Sequence, residues 1–127
     1  MRLGILTEPE GENRVAIVPN SVKKLVKKGL EVFVESGAGD KSNYSDSEYI
    51  SAGANIDSRD NILSSDLIIS VRMPEISELR SGLNLVCVAD PFRHPEKINS
   101  CISSNVNLFS MDMIPRRLSR AQSMDVN

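Results

Sequence analysis

Five short apolar runs, separated by helical patterns, constrain the fold of this chain more than any other feature. They are residues 3–6, 31–35, 66–71, 83–89 and 106–111, and residues 54–56 form a sixth, shorter run. Runs of this length, rich in β-branched residues and apolar on both faces, are typical of strands inside a parallel sheet. The sequence therefore predicts six strands.

Helical patterns lie between these runs. The first, residues 19–30, has Asn20 or Ser21 as its N-cap candidate and Gly29 as its stop. A second begins at Ser45 with acidic residues in its first turn and stops at Gly53. One- or two-turn helices are predicted at residues 58–65 and 74–82.

The last predicted helix begins with Pro95 in its first turn. Ile98, Cys101 and Ile102 follow at the spacing of one buried face. Alternating strands and helices with short connections predict βαβ units. The predicted fold is one α/β domain with a doubly wound parallel sheet, Rossmann-like or flavodoxin-like.

This domain lacks a G-x-G-x-x-G motif of its own. The first strand leads into "TEPEGENR", which has one glycine and three carboxylates (Glu8, Glu10 and Glu12) that would repel a pyrophosphate. Gly37 and Gly39 are followed by Asp40 and are interpreted as a glycine turn. On these grounds the domain alone is not a dinucleotide binder.

Composition excludes several functional classes. The formal charge of −2 gives no field that would attract nucleic acid. No run approaches the ~20 apolar residues of a membrane span, so we expect a soluble, cytoplasmic chain. Cys87 and Cys101 lie singly in apolar surroundings and are interpreted as buried thiols of a reducing compartment. Neither they nor the single histidine, His94, show metal-ligand spacing.

Two arginines are candidates for binding an anionic ligand. Arg14 follows the polar loop, and Arg72 follows the strand predicted at residues 66–71. Arginine binds carboxylates and phosphates through paired hydrogen bonds. Two other interpretations stay open, in which Arg14 pairs with Glu8, Glu10 or Glu12 and Arg72 is a solvated charge at the strand end.

Four motifs resemble the alanine dehydrogenase and proton-translocating NAD(P) transhydrogenase family. They are "RVAIVP" at residues 14–19, "VESGAG" at 34–39, "ADPFRHPE" at 89–96 and "SRAQSMD" at 119–125. The last motif is typical of the transhydrogenase alpha subunit, the NAD(H)-binding component. The resemblance covers essentially all of residues 1–127 and identifies them as the family's N-terminal domain.

The resemblance implies a role in hydride transfer from NADH to NADP⁺, coupled to proton translocation. It places Gln122 and Asp125 at the nicotinamide end of NAD(H), with an arginine that is Arg117 or Arg116, because this chain has one extra residue before Ser119. We expect Arg117, since its spacing to the glutamine matches. The implied cofactor-binding residues are Arg116, Arg117, Leu118, Ser119, Arg120, Gln122 and Asp125.

The implied partners are a second NAD-binding subdomain, an NADP(H)-binding component and a membrane-spanning component, with a homodimer as the assembly. The chain would then lie in the cytoplasm, peripheral to the inner membrane. Because the glycine-rich subdomain is absent from residues 1–127, this domain is expected to be C-terminally truncated and to bind NADH weakly or not at all. No metal is implied.

Two alternatives remain. The chain could be a non-enzymatic remnant or interaction domain of the same fold. It could also be an alanine dehydrogenase, but Arg72 stands where that branch has a catalytic lysine, and Asp90 stands where it has a catalytic histidine. Neither replacement supplies the proton chemistry of the original residue, which makes alanine deamination the weaker alternative.

Overall fold

A six-stranded, all-parallel sheet forms the centre of the fold. The computed structural model describes residues 1–88 and 95–111. Within them the strands are β1 (Arg2–Ile5), β2 (Glu31–Glu35), β3 (Asn55–Asp57), β4 (Leu67–Arg72), β5 (Asn84–Val88) and β6 (Asn107–Ser110). All six predicted strands are confirmed to within a residue or two. Their order is β3-β2-β1-β4-β5-β6, and every neighbouring pair is parallel.

This strand order decides between the two predicted winding patterns. The order 3-2-1-4-5-6 is that of the Rossmann fold, whereas a flavodoxin-like sheet runs 2-1-3-4-5. The direction of winding reverses between β1 and β4, which lie side by side in the middle of the sheet. Ligands of open α/β sheets bind at the carboxyl ends of the strands at this point.

Helices connect the strands on both faces of the sheet. They are α1 (Pro19–Lys27), α2 (Asp46–Ser51), α3 (Arg59–Leu63) and α4 (Pro95–Ser103). On one face, Val22 of α1 and Tyr49 of α2 pack with Ile5 and Val34. On the other face, Ile62 of α3 and Cys101 of α4 join a cluster that includes Leu6, Ile68, Leu85 and Cys87. The prediction of a doubly wound sheet is therefore confirmed.

The predicted N-cap of α1 is wrong. The helix begins at Pro19, so neither Asn20 nor Ser21 caps it, and Val18 occupies the N-cap position without a side-chain hydrogen bond. Proline at the first helical position explains the shift, because its ring already fixes φ near the helical value and it has no N–H to satisfy.

The predicted helix stops are confirmed. After α1, the Gly29 N–H donates to the Val26 carbonyl and the Leu30 N–H donates to the Leu25 carbonyl. This is a Schellman motif, and Gly29 has the positive φ of 92° that it requires. At the start of α2, Ser45 and Glu48 form a capping box, as the predicted start at Ser45 implies.

Two other predictions need correction. The one- or two-turn helix predicted at residues 74–82 is present only as a single 3₁₀ turn, Ile76–Glu78. Ile102 of α4 is 73% exposed, although Cys101 is buried and Ile98 packs against the core. Periodicity alone placed Ile102 on the buried face, but the helix contributes a narrower stripe to the core.

Two sequence interpretations, the burial of both cysteines and the glycine turn at Gly37 and Gly39, are confirmed. Cys87 and Cys101 are both buried and form no disulfide. Gly37 lies in a turn with φ +82°, and its N–H donates to the Asp46 carboxylate at 2.9 Å. Gly39 packs so tightly that an added Cβ would lie 2.7 Å from the Tyr44 carbonyl oxygen. The glycine turn is thus a packing feature.

Candidate functional site

A cleft of about 450 Å³ opens at the carboxyl ends of β1 and β4, where the winding reverses. The loop between β1 and α1 forms one wall with Thr7, Glu8 and Glu12. Arg72, at the end of β4, and Lys97, on α4, contribute to the opposite side. The cleft is therefore lined by side chains of both charges.

Glu8 ties this loop to the end of β4. Its two carboxylate oxygens accept the backbone N–H groups of Val71 and Arg72, each at 2.8 Å, and the residue is only 6% exposed. Burial, the largest influence, raises the pKa of the Glu8 carboxyl, while the two N–H groups act against that rise. Glu8 thus satisfies two backbone donors where β4 departs from regular pairing with β5.

Glu12, which lines the cleft, binds two arginines. It accepts from Arg14 Nε at 2.8 Å and Nη2 at 3.0 Å, and from Arg72 Nε at 2.9 Å. Hydrogen bonds from Arg14, the largest influence, lower the pKa of the Glu12 carboxyl to about 2. The side chain of Glu12 is 5% exposed, whereas those of Arg14 and Arg72 are 70% and 61% exposed. The carboxylate is therefore ionised at neutral pH, and both guanidinium groups still face solvent.

A second acidic side chain supports the same loop from the neighbouring strand. The Glu35 carboxylate at the end of β2 accepts the Thr7 N–H at 2.8 Å and a bond from Arg59 at 3.0 Å. Arg59 also pairs with Glu78 at 2.9 Å. The loop is thus held on one side by β4 through Glu8 and on the other by β2 through Glu35.

These residues do not fit the pyrophosphate of a dinucleotide. In a Rossmann site, free backbone N–H groups of a glycine-rich turn and a helix N-terminus face the phosphates. Here Glu8 already occupies the N–H groups of Val71 and Arg72, and α1 begins only at Pro19, well after β1 ends at Ile5. The sequence prediction that this loop is not a phosphate cradle agrees with this geometry.

The two arginines singled out from the sequence lie together. The interpretation that Arg14 pairs with a loop glutamate is confirmed, with Glu12 as its partner. Arg72 belongs to β4 itself, rather than lying beyond its end, and it also binds Glu12. Whether they bind a substrate anion stays a prediction.

The other predicted site residues lie outside the described residues of the chain. These are Arg116, Arg117, Leu118, Ser119, Arg120, Gln122 and Asp125. Asp90 and His94, to which no site role was assigned, also lie outside them.

Sequence reasoning considered a pairing of Arg14 with a loop glutamate, but it missed the bonds of Glu8 to the β4 backbone and of Glu12 to Arg72. The signal that could have found them is the pairing of a glutamate-rich loop after one strand with an arginine at the end of another. Strand ends on either side of the winding reversal meet in space, so opposite charges there are candidates for a contact.

Comparison with known proteins identifies the family. The family model described as "Alanine dehydrogenase/PNT, N-terminal domain" matches residues 4–126. The chain belongs to this family. Proteins named NAD(P) transhydrogenase subunit alpha and proteins named alanine dehydrogenase both match the chain.

Transhydrogenase alpha subunits match over most of the chain. The NAD(P) transhydrogenase subunit alpha of Haemophilus influenzae is 36% identical over 119 residues, covering 91% of this chain and 23% of the relative. The NAD(P) transhydrogenase subunit alpha of Cereibacter sphaeroides is 38% identical over 121 residues, again covering 91% of this chain and 23% of the relative. The chain thus spans less than a quarter of the length of these two relatives.

Alanine dehydrogenases match over a shorter stretch. The enzyme of Geobacillus stearothermophilus is 42% identical over 83 residues, which is 63% of this chain and 22% of that protein. The percentage identity is higher than for the two transhydrogenase subunits, but more than a third of this chain lies outside the match.

A solved structure confirms the fold. The crystal structure of transhydrogenase from Sinorhizobium meliloti superposes with a TM-score of 0.91 at 38% identity, covering 99% of this chain and 39% of that one.

None of the helices in residues 1–88 and 95–111 is long and apolar enough to cross a bilayer.

Proposed function

We propose that this chain is the N-terminal subdomain of a transhydrogenase alpha subunit and contributes the nicotinamide side of its NAD(H) site. The observation that carries the proposal is the match to transhydrogenase alpha subunits over 91% of the chain. The match to the family model extends to residue 126 and so includes the "SRAQSMD" motif. The complete enzyme would transfer hydride from NADH to NADP⁺ with coupled proton translocation.

The site residues of this proposal are those of the motif. Gln122 and Asp125 supply hydrogen-bond donors and acceptors for the nicotinamide amide and ribose, and Arg117, with Arg116 as the alternative, complements the cofactor's negative charge. NAD(H) itself supplies the hydride, so the protein needs to orient the nicotinamide rather than to move a proton.

The contacts in the cleft support separate roles for two subdomains. Glu8, Glu12 and Glu35 tie the β1–α1 loop to the neighbouring strands, and their carboxylates would repel a phosphate. The pyrophosphate of NAD(H) would therefore be held by a second, glycine-rich subdomain. The further partners of the proposal are an NADP(H)-binding component, a membrane-spanning component and a second copy of the alpha subunit. The chain would then lie in the cytoplasm, at the membrane through these partners.

Alanine dehydrogenase activity is not proposed. Arginine stays protonated at any physiological pH, so Arg72 cannot exchange a proton as a lysine does. Its Nε is in addition bound to the Glu12 carboxylate at 2.9 Å, which directs that part of the guanidinium group to the loop rather than to a ligand.

The test uses a chimaera in which residues 1–127 replace the corresponding part of the Sinorhizobium meliloti transhydrogenase chain, assayed with that enzyme's remaining components. We expect hydride transfer from NADH to NADP⁺, and we expect Gln122→Asn to lower its rate at least tenfold without changing the unfolding midpoint. An unchanged rate in the variant would refute the role of Gln122. A folded chimaera without transfer would refute the proposed function.

A further inference from the structure

The outer side of α1 carries a dense group of lysines. Four of the chain's six lysines lie in this helix and at its C-cap, and all four are exposed. We call them the lysine face, which consists of Lys23, Lys24, Lys27 and Lys28.

The lysine face lies opposite the buried stripe of the helix. Val22 is fully buried, and Leu25 and Val26 pack against the same core cluster. At roughly 100° per residue, the four lysines spread over about 140° of the helix circumference, centred opposite that stripe. They therefore form one positive surface that is directed away from the sheet.

The positive charge of this surface is not neutralised within the part of the chain that the structure describes. Every ion pair in residues 1–88 and 95–111 uses an arginine, so none there involves the lysine face. No acidic residue occurs in the sequence between Glu12 and Glu31. Glu48 of α2 lines the same groove as Lys23, but its side chain belongs to the capping box with Ser45. The net charge of −2 thus conceals a local concentration of positive charge.

The arrangement also weakens the helix that carries it. Lys27 follows Lys23 by four residues, and Lys28 follows Lys24 by four, so like charges lie one turn apart and repel. The helix dipole favours basic residues in the last turn, which accounts for Lys24 and Lys27 but not for Lys23. A charge pattern that costs helix stability indicates a function in binding a partner.

The chemistry of the lysine face selects among anionic partners. A lysine ammonium group is a compact point charge and does not have the fixed geometry with which arginine binds one carboxylate or phosphate. Residues 19–27 include no aromatic side chain on which a nucleic-acid base could stack. The apolar side of α1 is packed in the core, so it is not available for a partner helix. The face therefore suits a surface of many phosphates in no fixed arrangement, which is the surface that anionic phospholipids present.

We propose that the lysine face docks on the anionic phospholipid headgroups of a membrane surface. The inference rests on the proposed function, which places the chain beside a membrane through its partners. Because the apolar side of α1 is buried, the contact is electrostatic and the helix lies on the headgroups without entering the bilayer. Each lysine near an anionic surface strengthens binding by about fivefold, so four together strengthen it by roughly several hundredfold.

Co-sedimentation of the chain with lipid vesicles tests the proposal. The vesicles contain phosphatidylcholine alone or phosphatidylcholine mixed with phosphatidylglycerol, so that they differ in lipid charge. Lys27→Gln removes one charge from the lysine face, and Lys41→Gln is the matched control, because Lys41 is also exposed but lies outside that face. A quadruple variant replaces all four lysines of the face by glutamine. Circular dichroism verifies that each variant keeps the helix content of wild type.

We expect wild type to bind the anionic vesicles but not the neutral ones at ~0.15 M salt, and to dissociate at ~1 M salt, where charges are screened within ~3 Å. Lys27→Gln should weaken binding roughly fivefold and the quadruple variant roughly a hundredfold or more, whereas Lys41→Gln should change it less than about twofold. Equal binding to both kinds of vesicle would overturn the proposal. Equal effects of Lys27→Gln and Lys41→Gln, or unchanged binding by the quadruple variant, would do the same.

The chimaera described above separates the other outcomes. If the quadruple substitution prevents its assembly with the remaining components while the isolated chain ignores vesicles, an acidic protein surface is the occupant and the lipid proposal is overturned. Hydride transfer by the chimaera is read separately from vesicle binding. Transfer without vesicle binding refutes the membrane docking alone, and vesicle binding without transfer refutes the proposed function alone.

Discussion

Replacing Glu12 by glutamine tests whether the internal ion pairs organise the cleft. Glutamine keeps the size of the side chain but removes the charge and turns one acceptor into an NH₂ donor that faces a guanidinium group. In the native protein, Glu12 accepts three bonds from the Arg14 and Arg72 side chains and one from the Arg14 backbone N–H. The substitution should therefore destabilise the fold at neutral pH.

The size of the expected loss in unfolding free energy follows from the pKa of Glu12. A fall from 4.5 to about 2 would correspond to ~3.4 kcal/mol if the group were shielded from water. The arginine side chains are 70% and 61% exposed, so solvent screens the pairs and we expect a loss of ~1–2 kcal/mol. With an unfolding entropy of ~2.1 cal/mol/K per residue over 127 residues, the Tm should fall by roughly 4–7 °C.

The pH dependence has a definite sign. Because folding lowers the pKa of Glu12, its stabilising contribution is complete above the unfolded value of about 4.5 and is lost as the pH falls toward about 2. The difference in unfolding free energy between wild type and Glu12→Gln, measured by urea denaturation, should be constant from pH 6 to 8 and should vanish near pH 2.

Glu10→Gln is the matched control, because Glu10 lies in the same loop, is exposed and undergoes the same chemical change. It should alter stability by no more than ~0.5 kcal/mol. Equal effects of the two substitutions, or a loss at Glu12 that persists unchanged to pH 2, would refute the reasoning.

Two further predictions concern the packing around α2. Gly39→Ala should destabilise by ~2 kcal/mol in urea denaturation, because its Cβ would lie 2.7 Å from a Tyr49 ring carbon; a change below 0.5 kcal/mol would contradict this close packing. Tyr49→Phe should cost ~1 kcal/mol at pH 7, because the Tyr49 hydroxyl donates to the Ile17 carbonyl at 2.7 Å. Burial, the largest influence, raises the pKa of Tyr49 from 10.0 to about 12. The unfolding free energy of wild type should therefore fall relative to that of Tyr49→Phe as the pH rises from 10 to 12. A constant difference over this range would argue against a buried hydroxyl.

Most of the secondary structure could be predicted from the sequence, because strand and helix signals are local. Short apolar runs gave the strands, and Gly29 and Gly53 marked helix ends through the positive φ that each adopts. The start of α1 was misjudged because Pro19 fixes the helical φ without any capping side chain.

The strand order and the contacts inside the site could not be predicted from the sequence, because they depend on residues that lie far apart along the chain. A βαβ pattern is compatible with both winding orders, and Glu8 meets the amides of Val71 and Arg72 across more than sixty residues of chain. The buried face of α4 was overestimated at Ile102 because periodicity gives the direction of a side chain but not the width of the core beneath it.

The central proposal is that this domain does not hold the pyrophosphate of NAD(H), because the carboxylates of Glu8 and Glu12 lie where the winding of the sheet reverses, and that a second subdomain completes the site. Titration of NADH fluorescence against the isolated chain and against the chimaera tests this claim most directly. We predict micromolar binding by the chimaera, with binding by the isolated chain at least a hundredfold weaker. Micromolar binding by the isolated chain would contradict the claim.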